Sequence, residues 1–131
     1  MIQLLSAIAT ALFVILFTIL LSKYFSARLA AATILCSIAF IYVGFSLTGN
    51  PVSSIVLEVL VAVIGYSKNN SLIAYGIVLH GIWDVLHHQA SFVKTDIPNY
   101  YPVYCLIVDV LLGVYFFSVF RLKNNGKGIN I

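Results

Sequence analysis

The sequence predicts an all-α, polytopic membrane protein: a compact bundle of five transmembrane helices with its N-terminus outside and its C-terminus cytoplasmic. Three observations predict it. Of 131 residues, 62% are hydrophobic and 8% charged, whereas a soluble domain carries about 25% charged residues; mean hydropathy is +1.07. The apolar residues fall in runs divided by Gly, Pro, Asn and Lys, and about 20 such residues make one span. Lys23, Arg28, Lys68, Arg121, Lys123 and Lys127 all lie on one alternating set of connections, leaving Lys94 alone on the other. Such asymmetry marks the cytoplasmic face. An ordinary soluble fold is excluded, and because the net charge of +3 sits in topology-setting positions, no nucleic acid is expected as a partner.

The first span is 3–22. It opens on MIQ, without a basic n-region, and no small-residue cleavage pattern precedes Lys23, so it reads as a retained helix and not a signal peptide. The second is 27–48. The third, 51–66, opens on Pro51 and is the shortest, which suits a helix packed inside the bundle or tilting its neighbours. The fourth is 71–90 and the fifth 101–120. Between them the loop 91–100 carries Lys94 beside Asp96, and Phe92, Tyr100, Tyr101 and Tyr104 form an aromatic belt for the outer interface. Residues 1–122 thus make a single five-helix domain, followed by a polar cytoplasmic tail, 123–131, expected to be disordered.

PVSSIVLEVLVAV and PVYCLIVDVLLGV each place an acidic residue seven positions after a proline. Apolar alphabets produce such matches by coincidence. The positional consequence holds regardless, because proline suits the first turn of a helix. Glu58 and Asp109 then lie equally deep, about 10 Å below the outer ends of parallel helices.

Three of the four acidic residues, Glu58, Asp84 and Asp109, and all three histidines, His80, His87 and His88, fall within spans that hold no Lys or Arg. An ionised side chain at mid-bilayer costs from about 2.5 kcal/mol upward, so protons or a cation must offset these charges. HGIWDVLHH, residues 80 to 88, puts His80, Asp84 and His87 within about 60° of one another on a helix, and His88 widens the arc to about 100°. Depth agrees with Glu58 and Asp109, so six ionisable groups converge on one layer in the outer half of the membrane. Imidazoles with carboxylates suit a divalent metal, Zn first, with Fe or Mn as alternatives. The i, i+4 pair His80 and Asp84 presents two ligands from one face, as HExxH does. Di-iron membrane hydroxylases need more histidines than three and are excluded.

Other readings stand beside this one. His87 and His88 suit an interfacial helix C-terminus, His80 can be a neutral histidine bonded to a neighbouring helix, and the acids can be protonated hydrogen-bond donors between helices. Trp83, on the flank of the same face, reads as packing before substrate platform, and Cys105 as a packing cysteine before ligand or nucleophile. Cys36 and Cys105 differ in depth by more than a disulfide spans. Gly44, Gly65, Gly76, Gly81 and Gly113 read as sites of close helix approach.

HGIWDVLHH, followed by IPNYYPVYCLIVD, resembles an uncharacterised family of small bacterial integral membrane proteins that pairs a His, Trp-Asp, His-His helix with a downstream Cys and Asp. The resemblance covers about residues 76 to 113, with Glu58 matching an acidic residue of the preceding helix. In that family the aspartate is followed by proline, where this chain has Val110. The resemblance implies a shared site in a bacterial inner membrane and names no reaction.

The first expectation is a metal-dependent hydrolase acting on a membrane lipid or other apolar substrate. His80, Asp84, His87, His88 and Asp109 supply metal ligands, and Glu58 or Asp109 acts as general base on water. A proton or metal-ion conduit built from the same cluster is the second, which calls for a homo-oligomer; its weakness is a cytoplasmic half unlined by ionisable residues. A non-catalytic accessory subunit, with the cluster fixing helix register, is the third.

Overall fold

The computed structural model describes the backbone of residues 2–46, 64–89 and 98–124, and the side chains of 2–38, 64–86 and 98–124. Every regular element among them is helical: α1 (Ile2–Leu21), α2 (Ala27–Ser46), α3 (Asn70–Gln89) and α4 (Tyr101–Asn124), with residues 64–66 closing one further helix. The first, second and fourth apolar runs coincide with helices to within a residue or two, and the fifth shares its start with α4; of the third run, 51–66, only 64–66 lie among the described residues. α4 extends to Asn124 and takes the first two residues of the expected tail. Arg121 and Lys123 lie in its last turn, where cations favour the helix C-terminus.

Local chemistry sets the starts. Ser26 Oγ accepts from Leu29 N at 3.2 Å, and Asn69 Oδ1 accepts from Ser71 N at 3.0 Å. Both side chains satisfy amide donors that an α-helix leaves open at its first turn. Arg28 then ties two connections together, its Nη2 donating to Ser67 O at 2.7 Å and its Nη1 to Lys68 O at 3.3 Å.

Among the described residues α3 and α4 form the most extensive helix pair; α1 packs on α4, and α2 on α3 and, less, on α4. The buried faces are stripes at helical spacing: Ala7, Ala11 and Thr18 on α1, Ala27, Ala31 and Leu35 on α2, Ile73, Ala74 and Ile77 on α3, and Leu112, Phe116 and Phe120 on α4. Small residues on α1 and α2 let these helices approach the larger side chains of α4. Between α1 and α4, Thr10 Oγ1 and the Tyr104 hydroxyl share a hydrogen bond of 2.6 Å. Bonds of this kind within helical bundles contribute about 0.6 kcal/mol on average. Tyr104→Phe is therefore expected to lower stability by about that amount, read from thermal unfolding in detergent, and an unchanged midpoint would remove this bond from the account of how α1 is held.

The outward faces are as apolar as the core. Leu4, Leu5, Leu12, Phe13, Leu16 and Leu20 of α1 and Val103, Val114 and Phe117 of α4 are exposed. α1 and α4 are each long and apolar enough to cross a membrane.

Candidate functional site

α3 turns one face to α4, and its middle is polar. His80, Asp84 and Asp109 are 3%, 1% and 2% exposed, as deeply buried as the apolar core. His80 Nδ1 and Asp109 Oδ2 lie 2.8 Å apart in a buried hydrogen bond between α3 and α4. On the opposite edge of the ring, His80 Nε2 is 3.6 Å from Asp84 Oδ1, one turn along α3. One imidazole thus stands between two carboxyl groups. Among the described residues these are the ion-pairing contacts present, and neither involves Lys or Arg.

Backbone proximity makes the arrangement fit. A Cβ on Gly81 would fall 2.9 Å from Leu106 Cα and 3.0 Å from Asp109 Cβ. Glycine there allows α3 to lie against α4 closely enough for a 2.8 Å bond at the next residue. Gly113 does the same lower on the seam, where a Cβ would fall 2.3 Å from Val78 Cγ2, whereas Gly76 faces away from α4, where a Cβ would meet Ile64 and, on α2, Leu35. At Gly65 a Cβ would make only an ordinary contact, 3.5 Å from Cys36 Sγ. The side-chain surroundings of Gly44 lie outside the described residues.

Toward the Tyr101 end, Tyr101, Cys105 and Asp109 occupy one stripe of α4 at i, i+4 and i+8. Cys105 is buried one turn from each of Tyr101 and Asp109 on this stripe. Tyr101 was an interfacial aromatic by sequence, yet it joins the polar layer, and the four-residue spacing Tyr101, Cys105, Asp109 was the signal for it. Cys105 and Cys36 are both free thiols, buried and half-buried respectively. Trp83 is half-buried on the flank of the same face.

Of the expected site residues, the structure brings together His80, Asp84 and Asp109. His87 and His88 lie on the α3 backbone one turn beyond Asp84, and their side chains lie outside the described residues, as does Glu58 altogether. Among the described residues no group of three or more His, Cys, Asp or Glu is arranged to hold a metal ion. The reason is geometric: Asp84 faces Nε2 and Asp109 faces Nδ1, so the two carboxyl groups address opposite edges of one ring. Toward the Lys23 end the layer gives way to Ile77, Ala74, Ile73, Leu112 and Phe116, all buried.

The sequence profile of a family of unknown function, DUF6010, matches residues 2–121. No curated protein and no solved structure matches the chain.

Proposed function

The chain belongs to the DUF6010 family of unknown function, so its own residues must supply the reading: we propose a five-span protein of a bacterial inner membrane, N-terminus outside and C-terminus cytoplasmic, whose buried layer is a divalent-metal hydrolytic site for a lipid or other apolar substrate. The membrane setting is supported by the apolar outward faces of α1 and α4, since soluble monomers rarely expose large apolar patches and those that occur mark membrane or protein contacts.

The observation that carries the site is one imidazole held between two buried carboxyl groups. Two carboxylates with a protonated histidine leave one net negative charge in a medium that penalises it. Two carboxylates with a neutral histidine and a divalent cation leave none. The donor set also fits. Nε2 and Oδ1 are 3.6 Å apart, longer than an ordinary hydrogen bond and near the separation of about 3.4 Å between two ligand atoms around a tetrahedral ion. His80 Nε2 and Asp84 would hold the metal, with His87 and His88 as the further ligands that the sequence offers on the same helix.

Asp109 has a different task. Accepting from Nδ1–H, it fixes the tautomer that directs the Nε2 lone pair toward Asp84, as carboxylates behind metal-ligating histidines do. It is a positioning residue, and Glu58 is left as general base. A bound divalent ion supplies Lewis acidity and lowers the pKa of water. The residues of this chain orient the ligands and accept the proton. A conduit is less well supported, because the described core between the layer and the Lys23 end contains no Asp, Glu or His.

Elemental analysis of protein purified without chelator tests the reading. About one Zn, Fe or Mn per chain is expected, lost in Asp84→Asn and His80→Ala, and bound about 10–100-fold more weakly in Asp109→Asn. Metal-free wild-type protein whose properties are unchanged by Asp84→Asn overturns it.

A further inference from the structure

Two cavities lie around the start of α2, away from the His80 layer. α1 and α2 are joined by the short turn 22–26, yet the two helices leave an apolar groove between them, about 280 Å³, lined by Phe17, Leu21, Phe25, Leu29 and Ile34 among others. Across α2 from it is a wider, more polar cavity of about 920 Å³, with Ser26, Arg28 and Tyr66 on its wall. Leu29 and Thr33 line both. The two spaces therefore adjoin, one apolar and one bearing hydroxyls and a guanidinium.

Charge decides what such a pair can hold. Arg28 lies on the wall of the polar cavity, Lys23 is exposed in the turn that joins α1 to α2 and Lys68 is in the next connection, while both described acids, Asp84 and Asp109, are buried in the interior layer. Arg28 spends two donors on Ser67 O and Lys68 O, which fix its direction and leave its charge unneutralised by any carboxylate among the described residues. Basic pockets between helices at a cytoplasmic face are suited to anionic lipid head groups. We propose that this is a binding site for an anionic phospholipid, its phosphate at Arg28, Ser26 and Tyr66 with Lys23 nearby, and one acyl chain in the groove between α1 and α2. The site is distinct from the His80 layer. It rests on the membrane reading above and not on the metal.

Full-length protein in neutral-detergent micelles, titrated with phosphatidylglycerol, phosphatidylcholine or inorganic phosphate and read by native mass spectrometry, tests it. Phosphatidylglycerol is expected to saturate one site at least 10-fold more tightly than phosphatidylcholine, undisturbed by millimolar inorganic phosphate. Because Arg28→Gln also releases the turn at Ser67, a second variant, Lys23→Gln with Tyr66→Phe, leaves that turn intact. It should bring the anionic lipid toward the zwitterionic level, while Ala30→Phe, which fills the groove, should abolish retention of both. Equal binding of the two lipids, displacement by phosphate alone, or indifference to Ala30→Phe overturns the proposal. Resistance of the native protein to alkaline extraction from membranes, measured separately, shows whether the membrane reading itself has failed, and His80→Ala should leave the lipid titration unchanged.

Discussion

His80→Leu is expected to destabilise the protein by about 3–5 kcal/mol, the usual cost of removing one partner from a buried ionic pair. The ring is 3% exposed and joins two helices, bonding Asp109 of α4 at 2.8 Å and facing Asp84 of its own helix at 3.6 Å. Leucine fills the volume but leaves both carboxyl groups buried with no imidazole between them. They must then take up protons or draw water into the seam. Removing the partner as well relieves that cost: His80→Leu with Asp109→Leu replaces the inter-helix pair by apolar contact, which is often neutral or stabilising in buried settings. Chemical unfolding in micelles of the wild type, the two single variants and the double variant closes a cycle, with a coupling of at least about 2 kcal/mol expected. Additive effects would mean that the bond does not connect the two helices energetically. Metal content gives the complementary readout, since both variants containing His80→Leu are expected to lose the ion even where stability returns. A purely structural role would tie the two readouts together.

The helices were legible in the sequence because a chain this apolar has few alternatives. Runs of apolar residues long enough to span a bilayer, divided by Gly, Pro, Asn and Lys, correspond closely to α1, α2, α3 and α4. The meeting of His80 with Asp109 was legible as depth, since counting residues from Pro102 and from the end of α3 places them at one level. What counting could not supply was direction. Asp84 and Asp109 face different nitrogens of His80, a placement that depends on how α3 is rotated against α4, whereas the sequence reports only which residues share a face. The role of Tyr101 was hidden for a related reason: an aromatic at a helix start satisfies the interfacial-belt reading by itself, and only its register with Cys105 and Asp109 separates it from Tyr100.

Close approach of α3 to α4 beside His80 depends on glycine, and Gly81→Ala is expected to disturb the site more than the same change at Gly113 or Gly65. The added Cβ would lie 2.9 Å from Leu106 Cα, a backbone atom that no rotamer change can move. Carbon atoms settle about 3.5–4.0 Å apart, so α3 and α4 must part by roughly 0.6–1 Å at this level. His80 is the adjacent residue. A bond of 2.8 Å stretched by that much reaches the limit at which a hydrogen bond is lost. The expected outcome is a loss of about 1–3 kcal/mol, as for other overpacked cores, together with loss of bound metal. Gly113→Ala supplies the contrast: its Cβ would meet Val78 Cγ2 at 2.3 Å, a stiff β-branched side chain, so it too should destabilise, but a full helical turn from Asp109 and with the metal retained. Gly65→Ala meets only Cys36 Sγ at 3.5 Å and should be neutral or slightly stabilising, since alanine favours a helix over glycine by about 1 kcal/mol. If all three variants unfolded alike and kept equal metal, close approach at Gly81 would have no special bearing on the His80 layer, and the geometry of that layer would have to be set elsewhere.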